Sequence, residues 1–211
     1  MHIPDGILPV GLAISGWIAT GGLVALSVKR IESRPDPRAG IPRAAMMTAV
    51  FFAASLIHIP VPPTSVHLML SGLMGAMLGW YAIPAIAIGL FLQAVMFGHG
   101  GLTTLGVNGI ILGLPALAAF ALPRQANRTG SALVQSAAGF AAGAGAILFA
   151  VALFTTILLA GLPAHLDADA ERVAILTLAV AHLPLALAEG LVVAAVLGFL
   201  RRVSPELAHA S

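Results

Sequence analysis

A helix that crosses a bilayer needs about 20 mostly apolar residues, and this sequence is built almost entirely of such stretches, parted by short breaks that are charged or rich in proline and glycine. The apolar runs cover about residues 9–28, 44–57, 66–80, 83–97, 105–122, 131–162 and 173–200. The third is short, and the sixth has room for a break among Gly139, Gly143 and Gly145. Only 9% of the 211 residues are charged, where a soluble domain carries about a quarter, and mean hydropathy is +1.02. The expected fold class is therefore an all-α polytopic membrane protein of about seven transmembrane helices, a single integral-membrane domain over residues 1–211.

Basic residues set the expected orientation, because cytoplasmic loops carry the excess of Lys and Arg. Lys29, Arg30, Arg34, Arg38 and Arg43 fall between the first two stretches, Arg124 and Arg128 after the fifth, and Arg201 and Arg202 after the seventh. With seven spans all three groups share one side. The N-terminus is then outside, the C-terminus is cytoplasmic, and the protein belongs in the inner membrane. His2, His58, His67, His99 and His165 all lie in or beside the outer segments. Residues 1–5 contain no Lys or Arg, so they do not open a secretory signal, and bulky His2 predicts that Met1 keeps a free amine.

The chain has no cysteine. Thiolate chemistry is excluded, and any metal site must use imidazole, carboxylate or main-chain groups. No G-x-x-x-x-G-K-[ST] loop is present for hydrolysing ATP, and no H-E-x-x-H pair for a zinc protease. Nothing in the composition points to an organic cofactor or a nucleic-acid partner.

The first two residues form a chelator. The Met1 amine and the His2 amide nitrogen close a five-membered ring on a metal, and the amide nitrogen with His2 Nδ1 closes a six-membered ring. Three nitrogens in one plane suit nickel(II) or copper(II), whereas zinc prefers a tetrahedral set. One equatorial place is left open. His67, placed by its proline-rich approach just inside the third span, is the candidate to fill it. Such residues can equally be a disordered terminus and an interfacial histidine, and spacing leaves both readings open.

Polar residues inside spans are functional candidates by default. His182 and Glu189 are two turns apart on nearly one helix face, able to tune a ligand, couple a proton or hold the bundle. Gln93 and Asn108 are placed to anchor the N-terminal segment or line the site. His99, in Gly98-His99-Gly100-Gly101, suits supporting a ligand more than binding metal itself. Gly16, Thr20 and Val24, spaced by four, form a small-residue stripe that suits close docking of a coupling partner.

Met1-His2-Ile3-Pro4-Asp5-Gly6 with Leu8-Pro9 resembles the opening of the CbiM/NikM family, the substrate-capturing membrane components of energy-coupling-factor nickel and cobalt importers. The likeness continues through Thr64-Ser65-Val66-His67-Leu68, Gln93, Gly98 to Asn108, and His182-Leu183-Pro184 to Glu189-Gly190-Leu191. The resemblance implies an N-terminus folded into a seven-helix bundle, and a metal held by the Met1 amine, the His2 amide and imidazole, and His67. Ser65 belongs to a loop that looks like the nickel-type version. The implied cargo is Ni2+, with Co2+ as the alternative. The implied partners are a transmembrane coupling subunit, cytoplasmic ATPases and a small accessory membrane subunit. On this reading the chain is a transporter component and not an enzyme. The rival readings are an intramembrane metalloenzyme and a proton-coupled permease, both built on His182 and Glu189.

Overall fold

A computed structural model describes residues 2–61, 64–162 and 168–204. Met1 and His165 lie outside the described residues, as do the side chains of His58 and Ser65. Among the described residues are eight α-helices and one short hairpin: α1 (Val10–Glu32), α2 (Ile41–Ala54), β1 (His58–Val61), β2 (Thr64–His67), α3 (Ser71–Leu78), a 3₁₀ turn at Gly79–Tyr81, α4 (Ala82–Phe97), α5 (Leu105–Thr129), α6 (Ala132–Ala160), α7 (Ala168–Ala181) and α8 (Leu183–Val203). Among the described residues five helical runs are long and apolar enough to cross a membrane, the second being α3 with α4 and the last α7 with α8. α2 is apolar but shorter. The chain is a multi-pass, all-α membrane protein.

The core is built around α3. Ser71, Gly72, Leu73, Met74, Gly75, Ala76 and Leu78 are all buried, so this helix shows no amphipathic stripe and is enclosed by its neighbours. Close approach explains its glycines. A methyl at Gly75 would lie 1.8 Å from the Ala116 carbonyl oxygen of α5, and one at Gly72 would lie 2.6 Å from that of Ala142 on α6. In lipid such packing replaces the hydrophobic drive between helices.

Several expected boundaries move, each for a local reason. The third stretch is not helical from residue 66. Residues 64–67 pair antiparallel with 58–61, His58 opposite His67, and helix begins only at Ser71. His67 is therefore carried by a strand and not fixed by a helix. Leu70 adopts a left-handed conformation (φ 49°) between strand and helix, which a side chain tolerates only when its surroundings hold it. The fifth helix runs on through Pro115 and Pro123 to Thr129, as proline is tolerated in membrane helices whose neighbours satisfy the freed carbonyls. The sixth is unbroken. Its Gly139 and Gly143 admit the α8 backbone at Ala194 and Glu189 instead of ending the helix. The seventh is two helices joined at His182, where Pro184 removes a donor from the first turn of α8.

The stripe on α1 is occupied within the chain. Gly16 faces Val107, and Thr20 Oγ1 donates to the Gly106 carbonyl of α5, so neither is presented to a partner.

Candidate metal site

The N-terminal segment is tied into the bundle by its main chain. Ile3 N–H donates to Asn108 Oδ1 at 2.9 Å, and the Ile3 carbonyl accepts from Asn108 Nδ2 at 3.0 Å and Thr104 Oγ1 at 2.6 Å. Asn108 thus clasps both sides of one residue, whose side chain is buried. Two residues on, the Asp5 carboxylate accepts from the N–H groups of Leu102 (3.1 Å) and Thr103 (2.8 Å) and from the Thr103 hydroxyl. These donors precede the first turn of α5, where the helix dipole also favours an anion. The Thr103 hydroxyl foremost, with the amide donors, holds the Asp5 pKa below the usual carboxylate range. Neither Thr103 nor Thr104 stands out in the sequence as a site residue, and hydroxyls followed by a helix start are too common to single them out.

Between these clamps and the hairpin, three imidazoles converge. His2, His67 and His99 each offer a ring nitrogen, and the three lie within 4.8 Å of one another. Ring centroids are 5.1 Å apart for His2 and His67, 4.7 Å for His2 and His99, and 4.9 Å for His67 and His99. Three elements deliver them: the clasped N-terminus, strand β2, and the loop after α4. Left-handed Gly98 closes α4 and lets His99 N–H reach the Gln93 carbonyl. Gly100, at φ 82°, leaves room for His2, since a methyl there would come within 3.3 Å of His2 Cβ.

Both ring nitrogens of His2 are buried without a hydrogen-bond partner. Buried polar atoms are normally paired; Gln93 is the side chain placed to favour a hydrogen bond to this ring, and no well-formed bond is made. Burial above all, then the neighbouring positive groups including His67 and His99, lowers its pKa well below the ordinary histidine range. The neutral form is the one a metal binds. Gln93, fully buried, lies beside the His2 ring with both amide atoms unpaired. His67 Nδ1 lies 3.1 Å from the Leu68 carbonyl. Donating there puts the ring proton on Nδ1 and leaves Nε2 unprotonated, the arrangement that a carbonyl partner also imposes on metal-binding histidines. Nε2 in turn is 3.2 Å from His99 Nε2, within hydrogen-bonding distance.

His182 and Glu189 take separate roles. His182 Nδ1 donates to the Leu178 carbonyl at 2.7 Å, while Glu189 Oε1 accepts from the N–H groups of Met69 and Leu70, the latter at 3.0 Å. No hydrogen bond joins the pair. Glu189 instead holds the segment that leads away from His67.

A family described as the cobalt uptake substrate-specific transmembrane region, CbiM, matches residues 2–207. The chain belongs to the CbiM family. It is 33% identical over 223 residues to the fused nickel transport protein NikMN of Rhodobacter capsulatus, covering 98% of this chain and 63% of that one. It is 30% identical over 214 residues to the cobalt transport protein CbiM of Sorangium cellulosum, covering 98% and 94%. A crystal structure of a transition metal transporter superposes with a TM-score of 0.78 over 99% of this chain and 96% of the other, at 22% identity, which establishes the shared fold. A CbiM protein is a transport component that works with partner subunits, and the metalloenzyme reading of His182 and Glu189 falls away with that assignment.

Proposed function

We propose that this CbiM protein captures nickel at the outer face of the inner membrane for import driven by ATP hydrolysis on separate subunits. The observation that carries the reading is the convergence of His2, His67 and His99, with both His2 ring nitrogens buried and unpaired. The Met1 amine, the His2 amide and His2 Nδ1 supply three nitrogens in a plane, and His67 Nε2 supplies the fourth. His99, Gln93 and Asn108 support the ligands. Such a tetragonal nitrogen set favours nickel(II), and the Ser65-Val66-His67 loop, with its likeness to the nickel-type version, supports nickel over cobalt. Relatives named for each ion keep cobalt as the alternative.

The β1–β2 hairpin is the element that closes over the bound ion. The N-terminus faces out, as the gathering of Lys and Arg between α1 and α2 suggests. A transmembrane coupling subunit, cytoplasmic ATPases and a small accessory membrane subunit supply the energy and the inward step.

The test is nickel binding by detergent-purified protein with its native terminus, set against the same chain carrying one extra residue before Met1. The extension displaces the amine and leaves every helix intact. Binding should collapse in the extended chain and in His67→Ala. Equal binding by the extended chain would sink the proposed ligand set. Competition between nickel and cobalt on the native chain decides the ion.

A further inference from the structure

We infer that the end of the bundle remote from the histidines carries a specific site for an anionic phospholipid, its acyl chain lying between α2 and α4 and its phosphate against Arg34 and Arg43. Two cavities meet there at Tyr81. One, of about 520 Å³, is an almost wholly apolar groove lined by residues including Ile41, Ala45, Ala49, Phe52, Ile88 and Leu92. The other, of about 330 Å³, is polar and lined by Arg34, Asp36, Arg43, Met77 and Tyr81 among others. Both volumes fall within the usual range of ligand sites. An apolar slot joined end-on to a cationic pocket is the shape and charge of a phospholipid.

The dimensions agree. Ile41 and Tyr81 lie at the polar end and Phe52 and Leu92 at the other, so the two helices run parallel along the groove. From Ile41 to Phe52 a helix rises about 16 Å, close to the half-thickness of about 15 Å of bilayer hydrocarbon. The floor is made of alanines, Ala44, Ala45, Ala49 and Ala85, which makes it narrow and deep. A helix of about 10 Å diameter would ride over it, whereas an acyl chain enters. Thr48, the polar side chain on its wall beside Tyr81, already donates to the Ala44 carbonyl and asks nothing of the occupant.

The headgroup end is built for phosphate. The Arg34 guanidinium stacks over the Tyr81 ring at 5.3 Å, and Arg43 reaches the Met77 carbonyl at the end of α3, so both are positioned by the fold. Arginine matches phosphate with parallel N–H donors. Asp36 is the opposing charge in this pocket, and its Oδ1 accepts the backbone N–H of Arg38. Around it the segment from Lys29 to Arg43 holds five basic residues and two acidic ones. Trp80, under Arg30 at 5.6 Å, and Tyr81 place aromatic rings at this level, as at a membrane interface.

The test is native mass spectrometry of the full chain in neutral detergent, titrated with phosphatidylglycerol or with phosphatidylcholine of the same acyl chains. One phosphatidylglycerol should be retained per chain, about five- to thirtyfold better than phosphatidylcholine, as one or two arginines near a headgroup would give. Arg34→Gln combined with Arg43→Gln should bring the two lipids to near parity. Ala49→Trp, which plugs the groove, should abolish retention of both. Nickel binding must stay intact in both variants as the measure of folding. Equal retention of the two lipids by the wild type, or retention unchanged in both variants, would overturn the assignment. Displacement of the lipid by inorganic phosphate alone would leave only an anion site. Loss of the lipid from the assembled transporter, with Ala49→Cys cross-linking to a partner helix, would make the groove a protein seat instead.

Discussion

Glu189, fully buried on α8, accepts the backbone N–H of Leu70 at 3.0 Å across 119 residues of sequence, and that of Met69 beside it. The two amides follow His67 by two and three residues. A carboxylate of one helix therefore fixes where strand β2 hands over to α3, and with it the path on which the His67 imidazole is offered. Its other oxygen, Oε2, has no partner.

Glu189→Gln keeps an acceptor oxygen for both amides, whereas Glu189→Ala leaves two buried N–H groups unpaired at about 1–3 kcal/mol each. The alanine variant should lose thermal stability and nickel affinity together, and the glutamine variant should keep most of both. Thermal melting and calorimetric titration with nickel check this. A glutamine variant as damaged as alanine would show that the charge, and not the hydrogen bond, is what matters.

The separation of His67 Nε2 and His99 Nε2, 3.2 Å, gives His99 a measurable role. With His67 Nδ1 donating to Leu68, His99 supplies the proton to the Nε2 that a metal would take. Loss of a residue that orients a ligand typically costs about 10–100-fold in affinity. His99→Ala should fall in that range and His67→Ala below it. Nickel titrations of the two variants give the comparison. Equal and complete loss would promote His99 to a direct ligand.

How much of this was legible in the sequence depends on which force decides each feature. Apolar runs fix helices because the bilayer leaves the backbone no other partner, so α1, α2, α4, α5 and α6 lie close to where hydropathy puts them. Residues 64–70 defeat that logic. Val66 and Leu68 look like the start of a span, yet the segment is held by hairpin pairing and by Glu189, a partner that no local pattern announces. The triad is similar. His2 and His67 can be singled out by chelate chemistry and spacing, but the place of His99 depends on the turn at left-handed Gly98. The Asp5 clamp depends on a loop a hundred residues away.

Asp5 offers a pH test of N-terminal docking. Its folded pKa is depressed, so its contribution is fully present above the unfolded value of about 3.9 and is lost as pH falls through the still lower folded value. The stability difference between wild type and Asp5→Asn should be constant from neutral pH down to about pH 5 and shrink below about pH 4. Melting curves across that range check it. A difference that already shrinks between pH 7 and 5 would mean that another group carries the effect.

Gly101 and Gly75 separate the site from the scaffold. A methyl at Gly101 would lie 2.1 Å from Asp5 Oδ1, and one at Gly75 would lie 1.8 Å from the Ala116 carbonyl. The first obstacle is the Asp5 carboxylate and, at 2.6 Å, the Asp5 backbone nitrogen, both on a short N-terminal arm that can lift away. The second is backbone in the middle of the bundle, where overpacking costs about 1–3 kcal/mol or more. Gly101→Ala should therefore undock the arm, weakening nickel binding by about 10–100-fold as a displaced support does, with little change in melting temperature. Gly75→Ala should lower the melting temperature first, and lose nickel only as the bundle loosens. Paired melting and titration curves distinguish the two. If Gly101→Ala melts as early as Gly75→Ala, the arm is part of the folding core, and metal capture and bundle stability are one property.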